Sequence, residues 1–172
     1  MKTPPSPLQI SGYYFTEVKL DTNPEAKEAD LDKINVDIEV EVFLRNKENP
    51  REWCIIVRVK IVPVEGAFAP YSGQFEIFGM FSVASGWPDN QLEQLVYVNG
   101  GGILYGAARE MTNQLTGRGF WKMLTLPCVS FFEMYKQKKA QEEGEARRAA
   151  EAEAAAAKAA SSHAAEAPTS AA

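Results

Sequence analysis

Two consecutive runs of strict alternation constrain this chain more than any other feature. Ile34, Val36, Ile38, Val40 and Val42 alternate with Asn35, Asp37, Glu39, Glu41 and Phe43. Successive side chains of a strand point to opposite faces, so this run has one buried and one polar face. Trp53, Ile55, Val57, Val59 and Ile61 share a face in the same way, opposite Arg58 and Lys60. Between the runs lies Arg45-Asn46-Lys47-Glu48-Asn49-Pro50, rich in turn formers. A hairpin closing there sets Glu39 near Arg58 and Asp37 near Lys60. Opposite charges across strands then help to fix the register.

Two further segments join them. Over Gln74–Ala84, Phe75, Ile77, Phe81 and Val83 fall on one side and Phe78 and Met80 on the other, so both faces of this strand are expected to be covered. Leu8–Leu20 reads as a strand interrupted at Gly12. The expectation is an α+β fold with a four-stranded antiparallel sheet. After Trp87-Pro88 the period changes. Pro88 suits a helix start, and Leu92, Leu95 and Val96 form a short apolar stripe. Asn99-Gly100-Gly101-Gly102 is expected to break that helix as a flexible joint. A longer helix follows, its stripe made by Ile103, Leu104, Ala107, Ala108, Met111 and Leu115 and its end set by Gly117 and Gly119. Phe120–Val129 reads as extended, and Ser130-Phe131-Phe132-Glu133 as a capping box opening a last helix.

Composition shifts near residue 140. From Glu145 to Ala172, 15 of 28 residues are alanine. The sequence therefore divides into a domain over 1–140 and an Ala/Glu-rich tail over 141–172. Arg147–Ala160 favours a solvated helix that frays, followed by a disordered end from Ser161. A net charge of −5 argues against nucleic acid as partner, because phosphate binding needs clustered Lys and Arg. Cys54 and Cys128, 74 positions apart, match neither a metal knuckle nor a redox pair and read as two buried thiols. No apolar run approaches the roughly 20 residues of a membrane span, and Met1-Lys2-Thr3-Pro4-Pro5 lacks the apolar stretch of a signal peptide. A cytoplasmic protein without stable membrane insertion is expected.

The chemistry of catalysis is hard to find. The one histidine, His163, stands in the tail. The Gly100–Gly102 run precedes a helix but lacks the Lys and Ser/Thr of a phosphate loop. Glu110 beside Arg109 fits an ordinary charged helix surface. No catalytic residue, metal ligand or cofactor is expected. Aromatic residues, by contrast, are too many for one face of a four-stranded sheet. Some of them are expected on surfaces that pair with other subunits or bind apolar ligands.

Ile103-Leu104-Tyr105-Gly106-Ala107-Ala108-Arg109-Glu110, continuing through Leu115-Thr116-Gly117-Arg118-Gly119-Phe120 to Leu124-Thr125-Leu126-Pro127-Cys128-Val129-Ser130-Phe131, resembles the SecB family of export chaperones. Leu8-Gln9-Ile10, the Tyr14–Asp21 strand and Gly79-Met80-Phe81-Ser82-Val83 are similar too. The resemblance covers about residues 8 to 139.

It implies a four-stranded sheet with helices packed on one side, and subunits assembled into a homotetramer, a dimer of dimers. It implies apolar grooves that hold unfolded precursor proteins without ATP, and an acidic sheet surface that docks the motor SecA for export through the Sec translocon. The acidic pair of that surface matches Glu17 and Asp21; a further acidic position corresponds to Gln74, which is uncharged, and the Ala-rich tail does not resemble the family's tail. Candidates for lining the grooves are Tyr14, Phe43, Trp53, Trp121, Phe131, Met134 and Tyr135. Phe75 and Ile77 are the candidates for an oligomer interface. Three other readings stand beside this one: a SecB-like chaperone of a toxin–antitoxin system, a hot-dog-type thioesterase using Glu110 as base, and a purely structural oligomer.

Overall fold

The computed structural model describes residues 4–30 and 32–164, with backbone alone over 153–164. The chain forms two compact units, one up to Phe131 and one from Phe132 onward. The first holds strands β1 (Leu8–Thr22), β2 (Ile34–Asn46), β3 (Asn49–Pro63) and β4 (Tyr71–Val83) and helices α1 (Leu92–Leu95) and α2 (Gly101–Thr116). Helix α3 (Phe131–Ala164) makes up nearly all of the second. It starts one residue after Ser130 and runs unbroken through residue 140, where composition alone places a boundary. It also passes Ser161, the expected start of a disordered end; residues 165–172 lie outside the described residues.

The four strands form one antiparallel sheet in the order β1-β4-β3-β2. The β2–β3 hairpin pairs Asp37 with Lys60 and Glu39 with Arg58, the expected register. Ile55, Val57, Val59 and Ile61 are sealed on one face together with Phe75, Ile77 and Phe81. Helix α2 packs against this face of β3 and β4, so within the first unit the helix layer covers one side of the sheet.

The glycine run is helical, contrary to the expected joint. A π-helical turn, Val96–Gly100, leads straight into α2, and Gly100 and Gly101 keep right-handed helical angles. Packing explains the small residues. A Cβ on Gly100 would fall 2.1 Å from Cδ1 of Ile55, and one on Gly101 2.9 Å from Cδ1 of Phe131. The glycines let the helical segment approach the sheet and Phe131 closely. A second correction follows from this approach. Leu104, Tyr105, Ala108, Thr112 and Thr116 make the buried face of α2, while Ile103 and Leu115 of the expected stripe point outward. The buried threonine hydroxyls donate to carbonyls one turn back, Ala108 at 2.8 Å and Thr112 at 2.7 Å, so they cost little in the core.

Two bulges decide which β1 side chains face where. Register shifts fall between Ile10 and Gly12 and between Phe15 and Glu17. Each extra residue turns the following side chains to the other face. Tyr14, Glu17, Lys19 and Asp21 therefore all lie on the side away from the helices, opposite Phe78, Glu76, Gln74 and Ser72.

Candidate functional site

The segment after α2 has no regular hydrogen-bonding pattern of its own, yet side chains hold it in place. The Leu124 N–H donates to the Thr116 hydroxyl at 3.0 Å. Arg109 Nε donates to the Leu126 carbonyl at 3.0 Å, and the Tyr105 hydroxyl to the Pro127 carbonyl at 2.8 Å. Burial pushes the Tyr105 phenol up from its ordinary pKa, so it stays a donor. Leu126 is fully buried beneath the segment. Arg109 thus has a structural task that its place in an ordinary helix surface does not reveal.

Opposite this strip lies the β1–β2 connection, which carries the chain between the two edges of the sheet. It is tied to the β3–β4 connection. Asn23 N–H donates to the Pro70 carbonyl and Lys27 N–H to the Phe68 carbonyl, at 2.9 and 3.0 Å. The Asp30 carboxylate accepts from Lys33 Nζ at 2.8 Å and from the Phe68 N–H at 2.9 Å. The Lys33 hydrogen bond first, and then the Phe68 N–H, hold its carboxyl below the ordinary aspartate value.

Between the strip and the connection runs a groove made of two adjoining recesses. One, of about 220 Å³, is lined by Pro70, Tyr71, Met123 and Leu124 among others. The second, of about 310 Å³, is lined by Ile34, Val36, Leu124 and Pro127 with Asp32, Asn35 and Thr125. Asp32, Leu124 and Thr125 belong to both. Just before the strip, Phe120 stands 92% exposed, edge-on to Trp121 at 5.2 Å between ring centroids. The Trp121 carbonyl accepts from the buried Tyr71 hydroxyl at 3.3 Å. The groove sets apolar surface from Ile34, Val36, Tyr71, Met123 and Leu124 beside polar groups of Asp32, Asn35, Lys122 and Thr125, a mixed lining that can meet side chains of varied kind.

The sheet face away from the helices is ordered in rows across the four strands. From β2 to β1 they read Phe43–Cys54–Met80–Gly12, then Glu41–Ile56–Phe78–Tyr14, then Glu39–Arg58–Glu76–Glu17, then Asp37–Lys60–Gln74–Lys19, and beyond these Asn35–Val62 pair across β2 and β3 and Ser72–Asp21 across β4 and β1. The first two rows are apolar but for Glu41. Tyr14 and Phe43 lie 5.3 and 6.5 Å from the Phe78 ring between them. The middle rows are charged. Arg58 bonds Glu41 and Glu76, Lys60 reaches Glu39 at 3.4 Å, and Gln74 Nε2 donates to Glu17 at 2.6 Å. The Thr16 hydroxyl, then Arg58, hold the Glu76 carboxyl below its ordinary range.

Comparison with known proteins agrees with this geometry. The family model described as preprotein translocase subunit SecB matches residues 2–142. The chain belongs to the SecB family. A protein-export protein SecB of Chromohalobacter salexigens is 31% identical over 102 residues, 59% of this chain and 62% of that relative. The SecB of Halorhodospira halophila is 24% identical over 137 residues, 79% of this chain and 78% of that protein. The chain thus spans under two thirds of the first relative's length. A SecB-like chaperone of Mycobacterium tuberculosis, solved with a peptide from an antitoxin, shares the fold with a TM-score of 0.51 and 20% identity over 72% of this chain and 91% of that one.

The SecB fold redistributes the residues singled out from sequence. Glu17 and Asp21 share the open face, as the spacing requires. Asp37, Glu39 and Glu41 lie on that face too, but at its far edge, with Arg58 and Lys60 between, so the carboxylates form no single patch. Phe75 and Ile77 are 1% and 0% exposed in the chain's own core, where they offer no surface to another subunit. Phe131 is buried against Tyr105, 5.7 Å between centroids. Tyr14 and Phe43 stand on the open face instead of the groove, and Trp53 is half-buried with its indole N–H donating to the Pro50 carbonyl. Of the aromatic candidates, Trp121 directly adjoins the groove wall. Met134 and Tyr135 are half-buried on α3, in the second unit. Cys54 is buried, which raises its thiol pKa, whereas Cys128 is exposed, unlike the expected pair of buried thiols. Glu110, the base a thioesterase would need, is exposed and accepts from Gln114 at 2.8 Å. Among the described residues no helix is long and apolar enough to cross a membrane.

Sequence reasoning passed over the groove's own residues, Ile34, Val36, Tyr71 and Leu124. Their only mark in sequence is apolar alternation, which looks the same in a core. Glu76 was missed for a similar reason: Gln74 drew the comparison, and the residue two positions on shares its face.

Proposed function

We propose that this SecB-family protein is an ATP-independent chaperone that holds unfolded precursor proteins in the groove between the 122–127 strip and the β1–β2 connection and passes them to SecA in the cytoplasm. The groove carries the reading: it is an open recess in which Ile34, Val36, Tyr71, Leu124 and exposed Met123 supply apolar surface beside Asp32 and Lys122. Each contact is weak, near 25 cal/mol per Å² buried by the usual scale, so a long client gains by occupying several such grooves at once. That argues for a homotetramer. The surface that favours assembly is the outward stripe of α2, with Ile103 and Leu115 exposed and Met111 half-exposed between them, in place of Phe75 and Ile77. Glu17 and Asp21 on the open face are the proposed contact for SecA.

The test is aggregation of a denatured precursor. The protein is expected to keep it soluble without nucleotide, and Met123→Glu with Leu124→Glu to lose that effect while still folding. If the double variant protects as well as the parent, the groove is not the client site. Replacing Glu17 and Asp21 by Lys is expected to weaken SecA binding most at low salt and to leave client holding intact. A toxin–antitoxin chaperone is compatible with the same fold. It would protect an antitoxin and fail to transfer a precursor to SecA.

A further inference from the structure

The strip that walls the groove carries the most open methionine among the described residues. Met80, Met111 and Met134 are half-buried, while Met123 is 51% exposed. Its side chain lines the recess of about 220 Å³ together with Tyr71 and Leu124. The sulfur lies beside Gly117, at the end of α2. A Cβ there would stand 3.6 Å from Met123 Sδ, and glycine supplies none. Gly117 is itself exposed, so no side chain at that position shields the sulfur from solvent.

A thioether is apolar, flexible and polarisable, which suits a wall that meets side chains of many shapes. The same sulfur is easily oxidised. With a hypohalous acid such as hypochlorous acid, one S–O bond forms and the O–Cl bond breaks. Sulfur gives up two electrons, chlorine takes them and leaves as chloride, and the acid's proton is released. The product sulfoxide is polar and a strong hydrogen-bond acceptor. In an empty groove water satisfies it. Beneath an apolar client side chain it must shed that water, and this desolvation opposes binding. Leu124, the other aliphatic side chain that the strip gives to this recess, cannot be oxidised in this way. Cys128 is exposed and oxidisable, but it lines neither recess.

We propose that Met123 is a modification site that regulates client holding: hypohalous acid converts it to the sulfoxide, the recess loses apolar wall, and clients are held more weakly. Thiol-dependent reduction of the sulfoxide returns the thioether and restores the wall. The inference rests on the groove being the client site and adds to it a reversible control at a single sulfur atom.

The test uses the full-length protein carrying Cys128→Ser, so that thiol oxidation at the strip plays no part. It is treated with hypochlorous acid, quenched with free methionine and mapped by mass spectrometry, and a denatured precursor is then added. Met123 is expected to gain one oxygen before Met80, Met111 and Met134 do, and the concentration needed for protection to rise about tenfold. Met123→Leu in the same background is expected to keep its protection through the same dose, and Met123→Gln to show the loss without any oxidant. Methionine sulfoxide reductases with dithiothreitol should restore the treated Cys128→Ser protein, with circular dichroism unchanged throughout. Undiminished protection after full conversion of Met123 would overturn the proposal. So would an equal loss in the treated Met123→Leu protein, which would place the damage elsewhere, and so would conversion of Met123 no faster than that of Met80. Failure of the untreated protein to protect the precursor would instead defeat the chaperone reading and with it the control of holding, while the order of conversion would still report how open the sulfur is.

Discussion

The two faces of the sheet are made by the same strands with the same period, yet they differ in kind. On the helix side, Ile55, Val57, Val59, Ile61, Phe75 and Ile77 are buried beneath α2. On the other, Phe43, Ile56, Phe78 and Tyr14 form an apolar end open to solvent, and the charged rows beside them make ion pairs across strands. β4 shows the contrast within one strand: Phe75 is sealed, and Phe78, three residues on, is half-exposed. Alternation shows that a strand has two faces. Which face becomes core depends on where the helices land, and apolar residues left on the other face are available for function.

The largest effect should come from the covered face. Phe75→Ala is expected to cost about 3–5 kcal/mol and Ile77→Ala about 2–5, through the cavity left in a packed core. Phe78→Ala on the open face should cost about 1 kcal/mol or less in the same urea titration. Equal losses at Phe75 and Phe78 would mean that the open face is buried in the assembled protein, and the comparison of the faces would fail.

The close approach of helix to sheet is tested next. Gly100→Ala drives a methyl group into Ile55 and should cost about 1–3 kcal/mol by overpacking. Adding Ile55→Ala, which removes the obstructing atoms, should make the glycine change nearly harmless. Absence of that coupling in a double-mutant cycle would show that the glycines serve a flexible joint after all.

A smaller effect sits at the rim, at Asp30. Its carboxyl is held below the ordinary 3.8 in the folded state. The stability it contributes is therefore complete above that value and is lost as pH falls through its lower folded value. The melting-temperature gap between the parent and Asp30→Asn should be widest near neutrality and close as the solution is made strongly acidic. A gap that is constant with pH would mean that the carboxylate's charge is not what matters.

The smallest effect should come from the tail. Deleting residues 144–172 is expected to leave the melting temperature and client protection nearly unchanged, because Arg147–Ala160 offers no apolar stripe to dock. A large loss of either would assign the tail to one of the two faces.

Most of the elements and the hairpin register were legible in the sequence. Alternation sets the strand faces, and the Glu39–Arg58 and Asp37–Lys60 pairs appear where complementary charges put them. Sheet type and family membership were also legible, because they rest on local periodicity and on a long helix-turn-extended motif. The site was not. Only the tertiary structure showed that Phe75, Ile77 and Phe131 are core, that Tyr14 and Phe43 face away from the groove, and that Arg109 and Thr116 hold its wall. The glycine run misled for the same reason: in sequence glycine reads as a break, and only the nearness of Ile55 and Phe131 shows that it permits contact. Periodicity is a property of neighbours along the chain. Burial and the shape of a groove depend on groups far apart in sequence, and those are brought together only by the fold.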